Sequence, residues 1–197
     1  SENEIKDSLN ETKSKILIAI DFNYIKIRNV INDTDACKVV LVNLFGYMPF
    51  ITKLRYSFKE RIKIKFSNDS IYIWWDDFVL KSENLWINNY AYNGDKNDPA
   101  IILHSGGTTG VPKGVVLSND NLNAASSQCE TCGYDFQRQH IWLNIMPPFI
   151  AYGVGNGLHL PLALGMEVVL IPQFDPNKFD KLLDKYKPNH ITGVPTH

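Results

Sequence analysis

An excess of charge of either sign is missing from this chain: 20 Lys and Arg stand against 21 Asp and Glu in 197 residues, a net charge of −1. A balance this even gives no global pull toward nucleic acid or an acidic membrane surface. Cysteine is scarce, at three, and the count is odd, so no disulfide framework is implied. A reducing, cytoplasmic compartment is the simplest expectation. No apolar run reaches the roughly 18 to 20 residues that a membrane-spanning helix needs. The opening stretch, Ser1 to Lys15, is polar and charged, unlike a secretory signal. Internal repeats and low-complexity tracts are absent. There is no initiator Met, and His190-Ile-Thr-Gly-Val-Pro-Thr-His197 reads as a strand running into a loop, so a truncated chain is expected.

What is present is an alternation of strand and helix patterns. Residues 2–12 read as a polar helix. Ile16-Leu-Ile-Ala-Ile20 and Val39-Val-Leu-Val42 are short continuous apolar runs, as expected of strands covered on both faces. Residues 22–32 place Tyr24, Ile27 and Ile31 on one side of a helix. Ile71-Tyr-Ile-Trp-Trp75 is a strand candidate, and residues 93–99 form a turn-rich linker.

Beyond Pro99 the signals sharpen. Ala100 to Leu103 and Val115 to Leu117 read as strands, and Ser118 or Asn119 can cap the helix that follows. Ile141 to Ile145 is a strand, residues 153–164 a mostly apolar helix closed by Gly165, and Val168 to Ile171 another strand. Asp175 caps the next helix and Pro176 opens it. Phe179, Leu182, Leu183 and Tyr186 then follow the i, i+3, i+4, i+7 rule, and Pro188 ends it. A strand from His190 to Val194 closes the pattern. The alternation predicts an α/β fold of stacked layers with a largely parallel sheet. Two parts are expected, 1–98 with an irregular insertion and 99–197 carrying the chemistry.

The segment Ser105-Gly-Gly-Thr-Thr-Gly-Val-Pro-Lys-Gly114 is the densest in chemistry. Its glycines allow positive φ and bring backbone N–H groups close to an anion. Hydroxyls of Ser105, Thr108 and Thr109 can donate to phosphate oxygens, and Lys113 supplies positive charge. The loop is a phosphate cradle in chemical terms. It is not a Walker loop, which needs Gly-Lys followed by Ser or Thr and then a helix. Here Lys113 lies between Pro112 and Gly114, and a strand-like stretch follows.

This string resembles the signature phosphate loop of the adenylate-forming superfamily, (Tyr/Thr)-(Thr/Ser)-Ser-Gly-Thr-Thr-Gly-x-Pro-Lys-Gly. That superfamily includes acyl-CoA synthetases, aryl-CoA ligases, luciferases and the adenylation domains of peptide synthetases. Gly107, Thr108, Thr109, Gly110, Pro112, Lys113 and Gly114 match it, while Gly106 stands where Ser is usual. Met146-Pro-Pro-Phe-Ile-Ala-Tyr-Gly153 is similar to the family's Leu-Pro-Leu-Phe-His-x-x-Gly, and Pro172-Gln-Phe-Asp175 and Gly193-Val-Pro-Thr196 have counterparts too.

The resemblance implies an acid–thiol ligase that uses ATP, Mg2+ and coenzyme A and works through an acyl adenylate. Ser105, Gly106, Gly107, Thr108, Thr109, Gly110 and Lys113 would hold the ATP phosphates. Phe149, Ile150, Tyr152 and Gly153 would line the pocket for a small-molecule carboxylic acid. Ile150 replaces the usual His, and no Asp is placed to hold a substrate amino group, which favours a fatty or aryl acid over an amino acid. The family's later Tyr-Gly-x-Thr-Glu motif, ribose-binding Asp and catalytic Lys do not occur in residues 1–197. The catalytic set is therefore incomplete, and the chain alone is expected to be inactive. The alternative is a non-catalytic nucleotide-binding module of the same superfamily.

Other signals are set aside. Lys53, Arg55, Lys59, Arg61, Lys63 and Lys65 stand against one acid, Glu60, and are read as a solvated loop or an edge strand guarded by lysines, with a phosphate-facing or membrane-surface patch as the alternative. Cys129 and Cys132 make half a zinc site at most and are read as helix-end thiols. The five histidines show no metal-ligand spacing. His104, beside the loop, is a structural or ligand-facing candidate, and His159 is read as packed. The tryptophans are read as core.

Overall fold

The computed structural model describes residues 1–44, 71–80, 94–104 and 113–194. It divides into two compact units, Ser1–Tyr92 and Asn93–His197. In the first unit, helix α1 (Glu2–Thr12), strand β1 (Ile16–Ile20), helix α2 (Tyr24–Val30) and strand β2 (Lys38–Val42) follow in order. Strand β3 (Tyr72–Trp74) and helix α3 (Trp75–Leu80) complete it. The sheet is parallel in the order β1-β2-β3, with Leu17 opposite Val39 and Val39 opposite Tyr72. Leu9, Ile27, Ile31, Val39 and Leu41 form its core, and Leu17, Ala19, Tyr24, Tyr72 and Trp74 pack against them.

Two expectations for this unit change. Strand β2 is covered on both faces, with Val39, Val40 and Leu41 all at 0% exposure, but β1 is not. Ile16, Ile18 and Ile20 are 52%, 55% and 37% exposed, because successive side chains of a strand alternate and α1 and α2 pack on the Leu17–Ala19 face alone. The candidate strand at 71–75 is shorter than read. Trp75 already starts α3, whose first turn carries Asp76 and Asp77, the sign that suits a helix N-terminus. The basic stretch 53–65 lies outside the described residues.

The second unit opens with strands β4 (Pro99–His104) and β5 (Gly114–Ser118), then helix α4 (Asn119–Glu130) and strand β6 (Ile141–Asn144). Helix α5 (Ala151–Val154) runs through a π turn (Gly155–His159) into α6 (Leu160–Ala163). Strand β7 (Glu167–Leu170), a 3-10 turn (Pro176–Lys178), helix α7 (Phe179–Tyr186) and strand β8 (His190–Thr192) follow. The helix read over 153–164 thus starts at Ala151 and carries a wider turn in its middle. Gly165 closes it at φ 75°, and a Cβ there would come within 3.0 Å of Arg138 Nε.

β4 and β5 pair antiparallel, with His104 opposite Gly114, the antiparallel pair in an otherwise parallel set of described strands. The physical reason is length. A parallel crossover needs roughly a dozen residues or more, and the connection here spans only 105–113. The other three strands are parallel in the order β7-β6-β8, reached by helical crossovers.

Ser118 sets where β5 ends and α4 begins. Its Oγ accepts from Asn121 N at 3.2 Å, and Asn121 Oδ1 accepts from Ser118 N at 3.0 Å. This reciprocal box satisfies two N–H groups left over at the junction. Ser118→Ala should cost about 1 kcal/mol, read as a lowered urea midpoint with an unchanged slope. A midpoint equal to wild type would show that the box contributes nothing.

Candidate functional site

The order β7-β6-β8 has a consequence for binding. Strand β6 is central, and the chain leaves it first to one side and then returns to the other. In open parallel sheets of this order, ligands bind outside the carboxyl ends of the strands where the direction reverses, here β6 and β8. The β1-β2-β3 sheet has no such reversal among its described strands.

The segment after β6 is held at that point by a buried amide. Asn144 is 0% exposed; its Nδ2 donates to Gly153 O at 3.2 Å and its Oδ1 accepts from Met146 N at 3.0 Å. The loop from Ile145 to Ile150 is therefore pinned at both ends by one side chain. Gly157 sits against the same amide, and a Cβ there would lie 2.2 Å from Asn144 Nδ2. Tyr152 OH donates to Gly193 O at 3.3 Å, linking the start of α5 to the end of β8.

The predicted pocket residues divide in this geometry. Phe149 is 77% exposed on the loop, and Ile150 and Tyr152 are also open, while Gly153 is buried beneath Pro147. Of the four, Tyr152 lines a cavity of about 380 Å³. Most of that cavity is built from elements the sequence reading did not connect. Cys129 comes from the end of α4, Phe136 from the loop after it, Trp142 from β6, Asn156 from the π turn, Leu160 from α6, and His190 and Thr192 from β8. Trp142 Nε1 donates to Thr192 Oγ1 at 2.5 Å, and Thr192 Oγ1 donates to Asn156 O at 3.3 Å. The one signal that could have found this set is polarity out of place: Asn144 and Thr192 are polar residues inside apolar strands.

His190 sits among rings, with centroids 5.1 Å from Phe136, Trp142 and His140. Its Nε2 lies 2.9 Å from His140 Nδ1. Burial pushes the His190 imidazole below its ordinary value near 6.5; the charge of His140 adds to this, and Asp135 opposes it. The folded chain thus binds this proton less readily than the unfolded chain. Stability should be level above that ordinary value and fall as the pH drops below it. Melting temperatures measured between pH 7.5 and 5 should show this loss, and His190→Phe should reduce it. An identical pH slope in the variant would remove His190 as the cause.

Of the residues expected to hold ATP phosphates, Ser105, Gly106, Gly107, Thr108, Thr109 and Gly110 lie outside the described residues. The structure fixes the two borders of their segment. His104 is exposed at the end of β4, and Lys113 is exposed immediately before β5. The two borders belong to an antiparallel pair, and a strand rather than a helix N-terminus follows Lys113.

Other candidates have plain positions. Cys129 is half-buried at the end of α4; Cys132 is exposed, its Sγ donating to Gln128 O at 3.2 Å. His159 is half-buried in the π turn, and its Nε2 has no partner. Trp142 is core, and Trp74 packs against the core of the first unit. Among the described residues no group of three His, Cys, Asp or Glu could hold a metal ion. No described helix is long and apolar enough to cross a membrane.

The family model of the AMP-binding enzymes matches residues 1–197. The chain belongs to this family. Among its AMP-binding relatives, the long-chain-fatty-acid–CoA ligase of Bacillus subtilis (strain 168) is 27% identical over 198 residues, which cover 100% of this chain and 35% of that protein. The probable 4-coumarate–CoA ligase 1 of Dictyostelium discoideum is 32% identical over 157 residues, 76% of this chain and 25% of that one. In structure, the anthranilate CoA ligase AuaEII in complex with anthranoyl-AMP superposes with a TM-score of 0.71 at 15% identity, covering 97% of this chain and 33% of that one. ATP-bound MatB from Rhodopseudomonas palustris gives 0.69 at 19% identity, covering 100% of this chain and 33% of that one. The mixed α/β fold with parallel sheets is thus that of these adenylate-forming enzymes. The AMP-binding chain spans about a third of the length of the relatives it matches.

Proposed function

We propose that this chain is part of an ATP-dependent carboxylic acid–CoA ligase that activates a fatty or aryl acid through an acyl adenylate. The observation that carries the reading is the segment 105–114, whose hydroxyls, glycines and Lys113 match the adenylate-forming phosphate loop in a chain of the AMP-binding family. The chemical problem is that a carboxylate must approach a polyphosphate. Thr108, Thr109 and Lys113 would bind the β- and γ-phosphates and balance the charge that builds on the departing pyrophosphate. Coenzyme A would then take the acyl group as its thiol ester.

Mg2+ would arrive with the nucleotide, screening its phosphates. Loop hydroxyls suit nucleotide phosphates, and among the described residues no cluster of three His, Cys, Asp or Glu could hold the ion by itself. The open loop Phe149–Ile150 and Tyr152 would face the acid at the carboxyl ends of β6 and β8. We read 1–98 and 99–197 as the two working parts, and the low cysteine content as a sign of a cytoplasmic setting.

The purified chain should bind Mg-ATP in calorimetry yet make no acyl-CoA from any acid offered. The later Thr-Glu motif, ribose-binding Asp and catalytic Lys are not in its sequence. Turnover by the isolated chain would overturn the inactivity. Failure to bind Mg-ATP would overturn the phosphate-loop assignment itself.

A further inference from the structure

Cys129 and Cys132 are too few for a structural zinc site, but a disulfide needs only two thiols, and the turn that ends α4 brings them together. Cys129 lies in the last turn of the helix and Cys132 in the turn beyond it. Thr131 N still donates to Ser127 O at 3.2 Å, in helical register, and Cys132 N then donates to Cys129 O at 3.1 Å. That last bond closes a turn over the two cysteines themselves. Residues three apart in a helical turn share a face, and a turn closed in this way keeps their Cα atoms under about 7 Å apart. A disulfide spans Cα atoms about 4.4–6.8 Å apart. The Cys132 side chain is turned back along the helix, its Sγ donating at 3.2 Å to the carbonyl of Gln128, the chain neighbour of Cys129.

The surroundings suit an exchangeable bond. Cys132 is exposed and Cys129 half-buried, so an outside reagent meets Cys132 first. Thr131 and Gly133 are exposed too, and a Cβ on Gly133 would meet nothing within 4 Å. The turn can therefore draw Cys132 toward Cys129 without disturbing packed core. Cys37, the third thiol, lies in the first unit. Exposed disulfides are the labile ones, and transient disulfides are the kind that reducing compartments allow. Cys129 also lines the cavity with Tyr134 and Phe136, whose rings stack with centroids 5.5 Å apart. Phe136 in turn meets Trp142 and His190. A bond between residues 129 and 132 ties the end of α4 to the segment that supplies two of the cavity's rings.

We infer that Cys129 and Cys132 form a site of reversible thiol–disulfide exchange with a low-molecular-weight disulfide of the glutathione type, and that the bridge stiffens this wall of the cavity. The Cys132 thiolate attacks one sulfur of the reagent and breaks its S–S bond. One glutathione leaves as the thiolate, and Cys132 holds the other. The Cys129 thiolate then attacks Cys132 Sγ, the protein disulfide forms, and the second glutathione leaves. The two protons given up by the cysteines end on the two glutathione thiols. The protein loses two electrons and the reagent gains them. No nucleotide or acid takes part, so the site is independent of the ligase reading.

The full chain carrying Cys37→Ser is treated with oxidised glutathione, quenched with N-ethylmaleimide and weighed by mass spectrometry. The expected product is two hydrogens lighter than the reduced chain, carries neither glutathione nor maleimide, and returns to the starting mass with dithiothreitol. With Cys129→Ala added, Cys132 should keep one glutathione, because no second thiol resolves it. With Cys132→Ser added, no product two hydrogens lighter should form. Circular dichroism checks that each variant is folded; if one unfolds, the other serves as the control. A Cys37→Ser chain that keeps glutathione, or stays reduced and takes two maleimides, would overturn the exchange site. Trypsin cleavage after Arg138, in the exposed segment beyond the turn, should slow about threefold or more on oxidation, since cleavage follows local opening. Equal cleavage rates in the two forms would overturn the stiffening of the wall.

Discussion

Gly153→Ala should unfold or severely destabilise the second unit, whereas Gly155→Ala, two residues along the same helix, should stabilise it slightly. A Cβ on Gly153 would sit 1.9 Å from Pro147 O and 2.8 Å from Pro147 C. Both atoms are backbone, so no rotamer change relieves the clash. Either the loop after β6 or the start of α5 must move, and that movement breaks the Asn144 Nδ2 bond to Gly153 O. Overpacking a buried site typically costs about 1–3 kcal/mol, and leaving a buried amide donor unpaired adds about 1–3 kcal/mol.

At Gly155 a Cβ meets nothing within 4 Å, and the backbone is right-handed helical at φ −68°. Alanine there should gain roughly 0.5–1 kcal/mol from reduced unfolded-state freedom. Chemical denaturation of the two variants, followed through far-ultraviolet circular dichroism, gives the comparison. Similar midpoints for both would mean that the loop is not held tightly against α5.

Lys113→Ala should weaken Mg-ATP binding by about ten- to a hundredfold, the loss expected for a hydrogen bond to a charged group worth about 1.5–3 kcal/mol. Lys113→Arg keeps the charge and should retain more of the affinity than alanine. The residue is exposed at the foot of the hairpin, so its interaction with the nucleotide should also weaken with salt, as it does for charges in contact with solvent. Wild-type binding that is independent of salt and of this lysine would place the nucleotide elsewhere, and with it the reading of segment 105–114.

Several parts of the molecule are legible from local pattern alone. Helix α1 runs over the residues its polarity suggested, β2 is buried on both faces, and the segment Asp175–Pro188 turns into helix and stops where its caps and prolines dictate. Asp175 Oδ1 accepts from Asn177 N at 3.1 Å, and Lys178 lies 2.7 Å from Asp175 Oδ2. The hydrogen bond from Lys178 and the Asn177 N–H hold the Asp175 carboxyl below its ordinary value. These features depend on neighbours within a few residues, so the sequence displays both partners side by side.

The short connection at 105–113 fixes a hairpin in the same local way, once its length is weighed against what a crossover requires. Strand patterns carry no direction, so the antiparallel pairing of β4 with β5 rests on that length alone. The expectation of a strand covered on both faces failed at β1 because an apolar run does not say which face a helix will cover. Those are properties of what packs across a strand, not of the strand.

The family the chain belongs to, and the residue types and spacing of segment 105–114 on which the proposed phosphate contacts rest, were determined by the sequence itself. The cavity wall was decided only in three dimensions. Cys129, Trp142, Asn156 and His190 lie on four different elements, and pairing between β6 and β8 sets Trp142 opposite His190 and Asn144 opposite Thr192. Contacts across such distances along the chain arise from strand order and crossover, which no local periodicity encodes.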